Sequence, residues 1–125
     1  ESVDKQIDLL FNSQSLERQS FLLVGAIESS NDIETEIKTV NNLYKKGDLN
    51  ELLSLYQNDT TKYAPTQQEQ FELLDNRNQE WVKTIPQLIH QKSCFIAVGA
   101  LHLPGENGLI ELLKKAGYKV KPVKK

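Results

Sequence analysis

The stretch Ser93-Cys94-Phe95-Ile96-Ala97-Val98-Gly99-Ala100-Leu101-His102-Leu103-Pro104-Gly105-Glu106-Asn107-Gly108-Leu109 decides how this 125-residue chain is read. Phe95–Val98 is a short, continuous apolar run ending at a glycine. That pattern predicts a strand buried on both faces, as in a parallel sheet. Pro104-Gly105 predicts a turn. Leu109, Ile110, Leu112 and Leu113 predict a short helix, with Lys114 and Lys115 in its last turn and Gly117 just beyond it. Tyr118, Val120 and Val123 include a two-residue alternation, and Pro122 places that strand at an edge or near its end. The expectation over 93–123 is a strand–helix–strand unit with parallel strands and a right-handed crossover. His102 then stands at the carboxyl end of the first strand.

Outward from this unit, residues 1–92 read as helical. Val3, Ile7, Leu10 and Phe11 repeat at helical spacing, and Asn12–Ser15 reads as a break. Leu16, Leu23 and Ile27 begin a second stripe, and Ile33, Ile37, Val40 and Tyr44 continue it. Ser29–Asp32 either splits this stretch or lies on its wet face. Lys45, Lys46 and Gly47 suit a helix end. Asp48 with Glu51, and Thr66 with Glu69, have N-terminal capping spacing. Leu49, Leu52, Leu53 and Tyr56 give one helix a buried face. Phe71, Leu74, Asn78, Trp81 and Ile85 mark a longer one. Pro86 either kinks that helix or restarts it, with Thr84 and Gln87 capping the new turn.

The whole chain, 1–125, is expected to be a single α/β domain fragment. Two parallel strands do not make a stable sheet alone. The remaining strands are therefore expected from an absent N-terminal half or from a second copy, and self-association follows from the uncovered edge. The chain holds no methionine and opens on Glu1, so it is expected to be processed, excised or designed.

A net charge of -2 implies no basic face, which argues against nucleic acid as a partner. The single cysteine, Cys94, excludes an internal disulfide and a multi-cysteine zinc site. Its apolar neighbours predict a buried, inert thiol. No apolar stretch approaches the roughly 20 residues of a membrane span, and no signal peptide is visible.

Chemistry concentrates after the first predicted strand, where open α/β sheets bind ligands. Gly99 would let backbone approach a ligand. His102 suits a metal ligand or a general base, and Glu106 either role. The plainer readings are a hydrogen-bonded structural histidine and a carboxylate favourable near a helix N-terminus. One His and one Glu cannot complete a metal site. In Asp75-Asn76-Arg77-Asn78-Gln79-Glu80-Trp81, Asn78 falls on the apolar stripe and needs a partner. Arg77 has the geometry for a carboxylate or phosphate. The plainer reading is an exposed polar turn. His90 is expected at the surface.

The run Phe95–Leu109, with Gly117-Tyr118 and Pro122-Val123 behind it, resembles the C-terminal signature of the TraB/GumN family, which includes the TIKI-type Wnt-cleaving proteases. Arg77-Asn78-Gln79-Glu80-Trp81 resembles the family's Arg-Asn…Trp helix. Glu1-Ser2-Val3-Asp4-Lys5-Gln6 is similar to its Glu-x-x-x-x-Gln stretch. The resemblance implies the C-terminal half of a metal-dependent hydrolase, with a peptidase among the hydrolase types it allows and an unidentified substrate. It implies two Gly-x-x-His motifs, of which Gly99–His102 is the second. His102 would be a metal ligand or catalytic residue for a divalent ion. Arg77, Asn78 and Glu106 would share the site, and Glu1 would match a family acidic residue. The fragment alone would be inactive. The resemblance also implies an exported or envelope-associated protein. The rival expectation is a non-catalytic binding or inhibitory module of the cell envelope.

Overall fold

The computed structural model describes residues 2–28 and 33–123. The expected readings of Glu1 and of Ser29–Asp32 lie outside those residues.

Local signals place the helices. Helix α1 (Val3–Ile7) is capped by the Ser2 side chain and runs into a π-helical turn, Asp8–Asn12. Helices α2 (Leu16–Glu28) and α3 (Ile33–Lys46) follow. Gly47, at φ 72°, ends α3 in the left-handed conformation that glycine adopts most readily. The Asp48 carboxylate then accepts from Glu51 N–H and starts α4 (Leu49–Gln57). Thr66 and Glu69 form the expected reciprocal capping box on α5 (Gln67–Gln70). From there the backbone coils through a π-helical stretch, Phe71–Asp75, into α6 (Asn76–Ile89).

Pro86 neither restarts nor ends α6; it lies inside the helix. Thr84 caps no new turn, because its hydroxyl donates back to Glu80 O. Helix α7 (Leu109–Lys115) ends as expected, with Gly117 at φ 90° and Tyr118 N–H returning to Leu113 O.

The α/β expectation is overturned. Among the described residues there is no strand, no sheet and no strand–helix–strand unit. A strand exists only if another backbone takes up its N–H and C=O groups. Residues 93–99 and 118–123 form no ladder with each other or with any described segment. Phe95, expected to be buried on both faces, is 95% exposed, and Val123 is 97% exposed. Cys94 is likewise exposed rather than buried. Helix α7 crosses over no sheet. It packs on α6 instead, and Leu109 enters the core there.

The core is small: Leu52 of α4, Ile85 of α6 and Leu109 of α7 are buried. Two polar residues, Asn78 and His102, are buried with them. Among the described residues no helix is long and apolar enough to cross a membrane.

A second junction ties α2 to α5. Arg18 Nε and Nη2 each donate to one oxygen of the Glu69 carboxylate at 2.9 Å. Nη2 also donates to Ala64 O, and Gln14 Nε2 donates to Glu69 Oε1. Glu69 serves both this pair and the capping box. The Arg18 hydrogen bonds, opposed by desolvation and reinforced by Thr66, hold its carboxyl down at about 2.

Candidate functional site

Helix α6 positions the site because Arg77, Asn78 and Trp81 share its inner side. Asn78 interrupts the apolar stripe and is 1% exposed. A buried carboxamide needs partners for its two N–H groups and its oxygen. All come from the segment that links the irregular 93–99 stretch to α7. Nδ2 donates to His102 O at 3.3 Å and to Asn107 O at 2.8 Å. Oδ1 lies 2.8 Å from His102 Nδ1.

This arrangement assigns the histidine tautomer. Two carbonyls can only accept, so the amide NH2 must face them. The oxygen is left toward the imidazole, and an oxygen acceptor requires a proton on Nδ1. In the neutral ring the lone pair then lies on Nε2. The hydrogen bond on Nδ1 fixes the orientation of the ring.

His102 is 7% exposed and sits in a 3-10 turn, Ala100–His102. The Trp81 ring packs against it, with centroids 4.6 Å apart and planes tilted by 50°. The Arg77 guanidinium lies over the other ring system of this group, 4.8 Å from the Trp81 centroid. Its Nη1 donates weakly to Leu73 O at 3.5 Å. Behind the node, Asn107 Nδ2 donates to Asp75 Oδ2 at 2.9 Å, which holds the loop against α6.

Of the four predicted site residues, His102 and Asn78 meet directly, and Arg77 reaches them only through the Trp81 ring. Glu106 does not join them. It is exposed on the loop before α7, and among the described residues only its backbone carbonyl is engaged, by Lys115 Nζ. Nor does it lie in the first turn of α7, where Glu111 is the acidic residue. Gly99 is in ordinary extended conformation, and a Cβ there would meet His102 Cδ2 at a normal 3.5 Å. His90 is exposed and contacts the Tyr118 hydroxyl.

Sequence reasoning missed Asn107, Asp75 and the stacking role of Trp81. Nothing in their spacing points to His102. Only the demand of Asn78 for partners gave a signal.

His102 fits one ligand position of a divalent metal. Among the described residues, however, no group of three or more His, Cys, Asp or Glu lies together to hold an ion. A complete site would need donors from outside the described residues.

An open cavity of about 500 Å³ lies on the outer side of Arg77 and Trp81. Lys5, Asp8, Asn76 and Glu80 also line it, so its wall carries both charge signs. His102 does not line it.

No curated protein and no solved structure matches the chain. The family model for TraB/PrgY/gumN matches residues 1–122, nearly the whole sequence, and the chain belongs to the TraB/PrgY/gumN family.

Proposed function

We propose that this chain supplies the His102 arm of a divided hydrolytic site that cleaves an amide or peptide bond. The observation that carries the reading is the fixed Asn78 carboxamide, which sets His102 with its lone pair on Nε2. A buried imidazole needs a partner for its N–H in any role; here that partner is a fixed side chain that also selects which ring nitrogen carries the proton.

In this reading Asn78 positions, and His102 acts as base or as one metal ligand. Arg77, stacked on Trp81, favours negative charge developing beside it. Glu106 stands apart from them on an exposed loop. With further donors outside the described residues, His102 would be one ligand of a divalent ion, which would supply Lewis-acid chemistry to the site. The family resemblance supports the C-terminal-half assignment, with the other Gly-x-x-His motif upstream. It also supports an exported or envelope-associated protein.

The test uses the protein that carries this sequence. Peptide hydrolysis and bound metal are measured in parallel for wild type and His102→Ala. Loss of both is expected; unchanged values would sink the assignment. The segment preceding Glu1 should also contain a second Gly-x-x-His.

A second reading rests on the cavity beside Arg77 and Trp81. Because His102 does not line it, a peptide or sugar held there would be bound without turnover. Binding that survives His102→Ala, with no hydrolysis in either protein, favours that module.

A further inference from the structure

We infer that α3 pairs antiparallel with α3 of a second copy of this chain. The surface is the stripe Ile33, Ile37, Val40 and Tyr44, at spacings of four, three and four residues, which is one continuous helix face. Helix α3 packs on α4, yet it contains no buried residue. Ile37, Val40 and Tyr44 are 54%, 42% and 66% exposed.

Charge selects the occupant. Helix α3 is acidic in its first turn, at Glu34 and Glu36, and basic in its last, at Lys45 and Lys46. A two-fold axis between Ile37 and Val40 sets Ile33 against Tyr44 and Ile37 against Val40. The same axis brings each acidic end beside the basic end of the other copy. A parallel pair would instead place like charges together at both ends. Antiparallel packing also opposes the two helix dipoles. Such a contact is self-complementary and closes as a dimer.

One side of helix α2 is held elsewhere, while its Leu23, Val24 and Ile27 stay 64%, 48% and 67% exposed. Arg18 is bound to Glu69 and Ala64, and Phe21 packs on Tyr63 with centroids 4.8 Å apart. Gly25 lies under the same Tyr63 ring, and Glu28 bonds Lys62 and the Tyr63 hydroxyl. An antiparallel fold-back of α2 would moreover set Glu28 against Glu34 and Glu36.

The experiment is sedimentation equilibrium of the full chain over a hundredfold concentration range. Mass should rise from one chain toward two. Ile37→Glu should hold it at one chain, with circular dichroism unchanged. The surface pair Lys45→Glu/Lys46→Glu should weaken the dimer about tenfold, as should Glu34→Lys/Glu36→Lys. Mixing those two double variants makes every end complementary and should restore association. A one-chain mass at all concentrations would overturn the inference and leave α2 or another partner as the cover. Association that ignores Ile37→Glu or the charge reversals would overturn it too.

Discussion

The Oδ1 of Asn78 lies 2.8 Å from Nδ1 of His102, across 24 residues of sequence. It joins the middle of the molecule to the loop before α7. Because the amide also holds two backbone carbonyls, one side chain both closes the loop and orients the imidazole.

Replacing Asn78 tests that double role. Asn78→Leu leaves two carbonyls and an imidazole N–H without their partner in a buried place. The expected loss is about 2–4 kcal/mol in urea unfolding. Asn78→Ala, examined by long-range proton–nitrogen NMR, should shift His102 from a single Nδ1–H tautomer toward a mixture. An unchanged tautomer would show that something other than Asn78 selects it.

Acid should weaken the α2–α5 junction. Glu69 has its carboxyl at about 2, below the ordinary 4.5, so the unfolded chain binds this proton more readily than the folded one. The stabilisation is present in full above about pH 4.5 and is lost as pH falls toward about 2. Arg18→Ala should remove that part of the acid dependence and cost about 1.5–3 kcal/mol at neutral pH. Arg18→Lys should recover little, since one ammonium cannot reach both oxygens as the guanidinium does. Thermal melts at several pH values read both effects.

Gly25 is needed for space. A Cβ at this position would fall within the Tyr63 ring. Gly25→Ala should therefore destabilise by about 1–3 kcal/mol despite the helix propensity of alanine. Adding Tyr63→Ala should make the second substitution nearly free at Gly25, and a double-mutant cycle measures the coupling.

The irregular 93–99 segment makes an opposite prediction. Phe95→Asp should change stability by less than about 0.5 kcal/mol, as at an exposed site. Cys94 should react with one equivalent of a thiol reagent in the folded protein. A large loss of stability, or a thiol that reacts only on unfolding, would contradict the observed exposure.

Several elements were legible from the amino acids alone. Asp48 with Glu51 and Thr66 with Glu69 start helices where their spacing says. Gly47 and Gly117 end helices in the left-handed conformation, as expected. The position of Asn78 on an apolar stripe signalled a buried polar partner, and His102 is that partner. The identity of the partner was not legible, because no local pattern couples residues 78 and 102. Phe95–Val98 misled for a related reason. Its apolar run describes what a strand would bury, not whether a neighbour exists to pair with it.

The amino-acid sequence by itself therefore determined most of the helical segments, the caps at Asp48 and Thr66 and the stops at Gly47 and Gly117, but not the run of α6 through Pro86. Each helical hydrogen bond closes within four residues, so local chemistry is enough to specify it. Only the tertiary structure decided that 93–99 and 118–123 form no ladder among the described residues, that α7 packs on α6, and that Asn78 meets His102. Strand ladders and buried polar contacts take their partners from distant parts of the chain. Whether such a partner arrives depends on how the helices pack, which no single stretch of residues contains.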